Sequence, residues 1–213
     1  MRPSKSVTLI DYGAGNLLNV QRAFEHCGAK VTVAVNADDI ANADRLVFPG
    51  VGAFPEAMQQ LEAQGLIEVI KTSALNKPFI GICLGMQMML TQSHEFGMTQ
   101  GLDLLNGDVK PLPLSGIDGQ TMVIPHIGWE KIQSTNIDWH LSAFTEIPNE
   151  NAFYFVHSYY ADVADKSQQL ATFDFGGHAI TAAVQKDNMM GFQFPPEKSG
   201  EMGLKIIQSF LDI

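Results

Sequence analysis

The sequence contains little cysteine, few basic residues and no long apolar run, and each shortage excludes a class of protein. Cys27 and Cys83 are its only cysteines, so a disulfide framework is excluded and a reduced, cytoplasmic setting is predicted. No stretch approaches the roughly 18 apolar residues of a membrane-spanning helix, and residues 1–6 lack a signal peptide's apolar block. With 13 basic and 23 acidic residues, a net charge of −10 and no basic cluster, the chain is not expected to bind nucleic acid or membrane.

The residues that are present supply a core and an alternation of strands and helices. Hydrophobic residues make up 46% of the 213 and charged residues 17%, as in globular proteins, and we find no repeat or linker. A single domain over residues 1–213 is therefore predicted. The alternation predicts βαβ units, a parallel sheet and an α/β fold. The predicted strands are residues 7–10, 30–35, 45–48 and 78–82, and the predicted helices are residues 17–27, 55–64, 66–75 and 84–93.

The last third of the chain has a different pattern, with strand candidates joined by short connections. This pattern predicts antiparallel additions to a shared sheet. A final helix is expected from about Glu201 to Leu211, because its apolar residues recur at helical spacing. The strand candidates are residues 122–124, 152–156, 170–175, 179–185 and 189–194.

The segment Gly81-Ile82-Cys83-Leu84-Gly85 indicates a nucleophile on a sharp turn between a buried strand and a helix. The flanking glycines would relieve crowding at the corner, and the thiol would point out above the end of the strand. The helix N-terminus is expected to lower the pKa of the thiol, and the Leu84 N–H can face a developing oxyanion. The alternative is a buried cysteine in a packing turn. Cys27, on an apolar helix face, is interpreted as a core residue.

The base and the carboxylate that a thiolate needs for acyl transfer are not evident from local sequence. Glu197 follows a Pro-Pro loop at a strand end, where it is either a site carboxylate or the acidic start of the last helix. No two histidines are spaced three or four apart, so we predict no metal site and no cofactor. None of the six histidines has an obvious acid–base context: His26, His94, His126, His140, His157 and His178.

Several motifs taken together resemble the class I glutamine amidotransferases, and more narrowly the glutaminase subunit of imidazole glycerol phosphate synthase. They span nearly the whole chain, and the segments 125–129 and 154–159 are specific to the narrower group. The motifs are Asp11-Tyr12-Gly13-Ala14-Gly15-Asn16, Pro49-Gly50-Val51-Gly52, residues 81–87, Pro125-His126-Ile127-Gly128-Trp129, Tyr154-Phe155-Val156-His157-Ser158-Tyr159, residues 182–185, Gly191-Phe192-Gln193-Phe194 and Pro196-Glu197-Lys198-Ser199.

The resemblance implies a fold, a reaction and a partner. The fold is a doubly wound, flavodoxin-like, mostly parallel sheet with antiparallel additions. The reaction is hydrolysis of glutamine to glutamate and ammonia through a thioester on Cys83, with Glu197 as the third member of the triad. The partner is a (β/α)8-barrel cyclase that receives the ammonia through a sheltered channel.

The same resemblance assigns three further groups of residues. Gly50, Val51 and Gly52 match an oxyanion strand, which acts with the amide of Leu84. The positions that hold glutamine are Gln87, Glu95, Ser158 and Tyr159. The positions that face the cyclase are Asn16, Trp129, Tyr154 and Lys198.

One departure from the family motif bears directly on catalysis. The motif reads Phe-His-Pro-Glu, with histidine as the general base, whereas this chain reads Phe194-Pro195-Pro196-Glu197. Proline at the histidine position can neither accept nor return a proton. Three explanations are open: a deliberate change, a natural loss that leaves a structural subunit supplied with free ammonia, or recruitment of another histidine. His178 is the only candidate for a recruited base from outside the matched motifs, whereas His126 and His157 are interpreted as structural or interface residues.

The sequence leaves alternative functions open. The chain is either an impaired glutaminase or a non-catalytic binding subunit of the synthase. A hydrolase that acts on another small amide with the same turn is a third possibility, although the match at Gln87, Ser158 and Tyr159 argues against it. The pathway is either histidine biosynthesis or amidination of surface sugars, which similar subunits also serve.

Overall fold

Strands and helices alternate in the first 83 residues, as the apolar periodicity predicts. A computed structural model describes residues 5–13, 15–135, 138–139 and 142–213; residues 1–4, Ala14 and His140, named above, lie outside them. The elements are β1 (Ser6–Ile10), α1 (Leu17–His26), β2 (Lys30–Ala34), α2 (Ala37–Ala41), β3 (Leu46–Gly50), α3 (Phe54–Ala63), α4 (Ile67–Ala74) and β4 (Phe79–Cys83).

The remainder of the chain is mostly strand. The 3₁₀ helices Lys166–Gln168 and Pro196–Lys198 also occur there. The elements are α5 (Leu84–Met88), β5 (Leu90–Ser93), β6 (Thr99–Gln100), β7 (Leu105–Pro111), β8 (His126–Lys131), β9 (Gln133–Ser134), β10 (Ala152–His157), β11 (Tyr159–Val163), β12 (Gln169–Phe175), β13 (His178–Lys186), β14 (Met189–Phe192) and α6 (Gly200–Leu211).

The main sheet has eight strands in the order β2-β1-β3-β4-β14-β13-β12-β9. The first five are parallel, and β13, β12 and β9 add antiparallel pairings. The prediction of a mostly parallel sheet with antiparallel additions is therefore confirmed. Because β14 pairs with β4, the segment after Phe192 lies beside the end of β4 at Cys83.

Helices cover both faces of this sheet, as expected of a doubly wound fold. Alternate strand residues such as Leu9 and Ile10 point into different apolar clusters, because successive side chains of a strand face opposite ways. One cluster includes Phe24 of α1 and Phe210 of α6, and the other includes Phe54 of α3. Ligands of such folds bind at the carboxyl ends of the parallel strands, which is where Cys83 lies.

The structure corrects three local predictions. Residues 84–93 are not one helix, because the chain leaves α5 after Met88 and pairs as β5 with β6 and β7. Residues 122–124 are not a strand; β8 begins only at His126, after Pro125, which lacks the N–H that a ladder requires. Strand β10 does not join the main sheet but pairs with β8, and β11-β7-β5-β6 form a third sheet.

In these three corrected segments, the pairing of strands in the folded chain outweighs the conformational preference of the local sequence. The apolar periodicity of the sequence did not predict α2, β5–β9 or β11. None of the helices in the described ranges has the length and apolar character needed to cross a membrane.

Candidate active site

Cys83 occupies the sharp turn that the glycine spacing predicts. Its backbone has φ 53° and ψ −115°, a left-handed φ that is uncommon and strained for a residue with a side chain. The turn is possible because Gly81 packs directly under it: a Cβ there would lie 2.9 Å from the Met86 backbone and 2.6 Å from the Met89 sulfur. The prediction of a strained corner flanked by necessary glycines is therefore confirmed.

The segment predicted as the oxyanion strand lies directly against this turn. Gly50, at the end of β3, is the register partner of Cys83, at the end of β4. A Cβ on Gly50 would lie 2.9 Å from the Gly85 nitrogen, and a Cβ on Gly85 would lie 1.8 Å from the Phe48 carbonyl oxygen. The two backbones can approach this closely only because both positions are glycine.

A cavity of about 380 Å³ opens above Cys83 and brings most of the predicted site residues together. It also includes His157 and Gln193, to which no sequence motif assigned a role in the site. Trp129 and Tyr154 are not among its described lining residues. The predicted residues that line it are Cys83, Pro195, Glu197, Gly50, Val51, Gly52, Leu84, Gln87, Glu95, Ser158, Tyr159, Asn16 and Lys198.

The Cys83 thiol is held in its protonated form. Its Sγ donates to the Gln193 carbonyl oxygen at 3.2 Å. Burial raises the pKa of the thiol well above its ordinary value, the Glu197 carboxylate raises it further, and Lys198 opposes this increase only partly. The prediction that the helix N-terminus yields a low thiol pKa is therefore wrong for this chain. Five-residue α5 cannot outweigh burial and a neighbouring negative charge.

Glu197 lies in the site without the partner that a histidine would supply. Its Oε2 is buried and has no hydrogen-bond partner, and burial raises the pKa of the carboxyl group. Pro195, two residues earlier, has φ −76° and ψ 111°. Its carbonyl accepts from the Ser199 hydroxyl at 2.9 Å and the Lys198 N–H at 3.1 Å, which holds the segment in place. A carboxylate and a thiol thus share a cavity with no imidazole at the family position.

The residues matched to glutamine binding form one wall of the cavity. Gln87 Nε2 donates to the Tyr159 carbonyl oxygen at 3.0 Å and to Gln193 Oε1 at 3.0 Å. Glu95 is buried, and its Oε2 accepts the Phe54 N–H, the first of α3, at 2.8 Å. This wall presents oxygen acceptors next to the oxyanion segment, an arrangement suited to a small ligand that carries an ammonium group.

No described histidine is hydrogen-bonded to Cys83, whose Sγ donates to the Gln193 carbonyl oxygen. His157 lines the cavity, but its Nδ1 donates to the Tyr159 carbonyl at 2.8 Å, and burial, assisted by His126, lowers its pKa to about 4. His126 packs against Phe173, with ring centroids 5.6 Å apart. His178 Nε2 lies 3.0 Å from the Ser115 carbonyl oxygen and is not among the described residues that line the cavity.

Metal ligands do not cluster anywhere in the part of the chain that the structure describes, where no group of three His, Cys, Asp or Glu residues could hold an ion.

Trp129 and Tyr154 lie outside the cavity on an exposed apolar surface, which we call the β8-β10 face (Ile127, Trp129, Tyr154 and Val156). The two aromatic residues are cross-strand partners with ring centroids 6.0 Å apart. Ile127 and Trp129 are each more than half exposed, and Val156 is 42% exposed. Val156 also lines the cavity, so the face is continuous with the candidate site.

Comparisons with known proteins match this architecture. The family model for class-I glutamine amidotransferases matches residues 8–213. Imidazole glycerol phosphate synthase subunit HisH 1 of Legionella pneumophila strain Paris is 50% identical over 211 residues, covering 98% of this chain and 99% of that protein. The HisH subunit of Syntrophotalea carbinolica is 42% identical over 209 residues, covering 97% and 100%.

Solved structures show the same fold at low sequence identity. A glutamine amidotransferase matches with a TM-score of 0.70 at 12% identity, covering 97% of this chain and 99% of that one. PurLQS from Thermotoga maritima matches with a TM-score of 0.66 at 18% identity, covering 97% of each chain. These structures share the fold of this chain. The family model and the HisH relatives show that the chain belongs to the class-I glutamine amidotransferases, and within them to the HisH subunits of imidazole glycerol phosphate synthase.

Proposed function

We propose that this chain is the glutaminase subunit of a synthase that makes imidazole glycerol phosphate in histidine biosynthesis, and that Pro195 impairs its chemistry. The observation that carries the proposal is the cavity in which Cys83, Glu197, the oxyanion segment and the glutamine-binding positions meet. Its volume of about 380 Å³ suits a ligand the size of glutamine. Both cysteines are free, and a reducing cytoplasm would keep the Cys83 thiol available.

The proposed reaction has two halves. Cys83 Sγ attacks the side-chain carbonyl carbon of glutamine, and backbone N–H groups of Leu84 and the segment Gly50–Gly52 stabilise the negative oxygen that forms. The carbon–nitrogen bond then breaks, the nitrogen leaves as ammonia with the thiol proton, and a thioester remains. Water hydrolyses the thioester to glutamate and regenerates the thiol. Each half requires a group that moves a proton, and Pro195 cannot be that group.

The β8-β10 face is proposed as part of the contact with a (β/α)8-barrel cyclase. Aromatic residues at a protein surface, such as Trp129 and its partner Tyr154, are typical anchors of protein–protein interfaces. Asn16 and Lys198, which line the cavity, would complete the contact at its mouth. In water at neutral pH ammonia is mostly protonated and no longer nucleophilic, so a docked cyclase that covers the cavity mouth would keep the ammonia reactive.

Reconstitution with the cyclase tests the proposed function. In the complex, glutamine should support slow product formation, faster than in a complex that carries Cys83→Ala, whereas ammonium salts should support both complexes equally. The measurements are glutamate release and cyclase product. If glutamine turnover equals that of the Cys83→Ala complex, the chain is a structural subunit and the synthase uses free ammonia. If the chain does not bind the cyclase, the proposed function is wrong.

Trp129→Ala is expected to weaken the complex with the cyclase by about 10- to 100-fold, because truncation of a central aromatic anchor commonly has an effect of this size. The dissociation constant would be measured by titration calorimetry. Leu75→Ala is the matched control: Leu75 is 58% exposed, close to the 56% of Trp129, but it lies between α4 and the amino end of β4, whereas the cavity lies at the carboxyl end of that strand. Equal affinities for the two variants would exclude Trp129 from the interface.

A further inference from the structure

A buried glutamine without an assigned role links the nucleophile to the substrate wall. Gln193 follows β14 and is 1% exposed. Its backbone is fixed at both polar atoms: its N–H donates to the Ala182 carbonyl at 2.9 Å, and its carbonyl oxygen accepts from Cys83 Sγ at 3.2 Å. Because the backbone is anchored to β13 and to Cys83, the side chain has a defined origin within the cavity wall.

The Gln193 side chain determines which atom of Gln87 is free. A primary amide nitrogen carries two hydrogens, and Gln87 Nε2 uses one on the Tyr159 carbonyl and the other on Gln193 Oε1. Gln87 Oε1 has no hydrogen-bond partner among the described residues, although Gln87 is only 6% exposed and lines the cavity. The carboxamide can therefore offer a ligand an oxygen acceptor but not a donor.

The Tyr159 carbonyl alone does not hold this orientation. It also accepts from His157 Nδ1 at 2.8 Å, so its two lone pairs are shared between two donors. If Gln193 Oε1 were removed, one buried hydrogen of Gln87 would lose its partner, which is unfavourable. The amide would then gain by turning towards other acceptors, including the carboxylate of a ligand.

We propose that Gln193 is a positioning residue for substrate recognition: it holds the Gln87 carboxamide with its oxygen directed into the cavity, so that the site selects a ligand with an N–H donor. This inference rests on the proposed function, in which that donor is the α-ammonium group of glutamine. Glu95, on the same wall, supplies the negative charge that complements an ammonium group.

The test compares two ligands rather than one. L-Glutamine and glutaramate, which is glutamine without its α-amino group, would be titrated into the full chain in complex with the cyclase. The parent should prefer glutamine. Gln193→Met, which keeps the length and apolar volume of the side chain, should lower glutamine affinity about tenfold and leave glutaramate affinity nearly unchanged, because one hydrogen bond to the ammonium group is lost.

Two further variants separate positioning from folding. Gln193→Glu keeps an oxygen that accepts from Gln87 and should preserve the preference for glutamine. Gln169→Met removes a structural hydrogen bond to Thr181 Oγ1, 2.7 Å long and outside the cavity, and should lower stability without changing the ligand preference. If Gln193→Met does not fold, Gln193→Asn carries the same expectation, because its shorter side chain cannot reach Gln87.

Three outcomes would count against the inference. If Gln193→Met keeps the parent's preference, Gln193 does not orient Gln87. If affinity for both ligands falls equally, the role of Gln193 is structural only. If the parent complex binds neither ligand, the proposed function is wrong and this inference is wrong with it. That outcome is recognised from the parent complex alone, before any Gln193 variant is measured.

Discussion

Pro195→His is expected to raise glutamine-dependent glutamate formation in the cyclase complex by about 10²- to 10⁴-fold, the usual contribution of a general base. The cavity already holds the other members of a triad, since Cys83, Glu197 and position 195 all line it. Glu197 Oε2 is buried without a partner and would accept one imidazole N–H. The other imidazole nitrogen would take the thiol proton of Cys83 and return it to the departing ammonia.

The backbone at position 195 is compatible with histidine. Its φ of −76° and ψ of 111° are ordinary extended values, which a residue before proline favours in any case. Loss of the proline ring is expected to cost at most about 1 kcal/mol, through the greater freedom of the unfolded chain. The effect on activity should therefore far exceed any effect on stability.

Pro195→Gln is the matched control for this substitution, because glutamine is polar and of similar length but cannot act as a base. If the Pro195→His complex releases glutamate no faster than the Pro195→Gln complex, the rest of the site cannot support glutamine hydrolysis. The double variant Pro195→His with Cys83→Ala should return to the background rate, because catalysis must pass through the thiol.

Gly85→Ala should be the most destabilising single methyl addition near the site, by about 3 kcal/mol or more. The added Cβ would lie 1.8 Å from the Phe48 carbonyl oxygen and 2.8 Å from the Phe48 carbonyl carbon. Both are backbone atoms of β3, so relief requires β3 and α5 to separate. The oxyanion segment and Cys83 would separate with them, and activity restored by Pro195→His should be lost as well.

Gly128→Ala is the control for the methyl addition itself. A Cβ on Gly128 would make only ordinary contacts, 3.6 Å from His126 Cε1 and 3.8 Å from Glu130 Oε1. Urea denaturation should give Gly128→Ala a free energy of unfolding within about 1 kcal/mol of the parent's. If the two variants have similar free energies of unfolding, the close contact between Gly85 and β3 does not constrain the fold.

Short-range patterns predicted the parts of the fold in which neighbouring residues decide the conformation. The alternation of apolar runs identified β1 to β4, and the glycine spacing identified the strained turn at Cys83. The missed elements include β6 and β9, which have only two residues each. Their extended conformation depends on pairing with distant strands, and residues 90–93 adopt strand rather than helix for the same reason.

The protonation state of Cys83 could not be predicted from its own segment. The turn and the helix start are local features that lower a thiol pKa, but burial and Glu197, 114 positions further along the chain, raise it. The orientation of Gln87 is decided similarly, by Gln193 and the Tyr159 carbonyl. Such effects depend on distances across the fold, which no spacing within a motif contains.

By itself, the sequence determined the α/β fold class, the position of the cysteine nucleophile and the resemblance to a family. It also determined that proline stands where that family has its catalytic base. These properties are local, because they follow from residue identity and from the spacing of apolar residues and glycines. Only the tertiary structure decided that β14 lies beside β4, so that residues 193–197 meet Cys83. Only it decided that the thiol stays protonated and that Glu197 lacks a partner, because burial and electrostatic interactions arise when distant segments pack together.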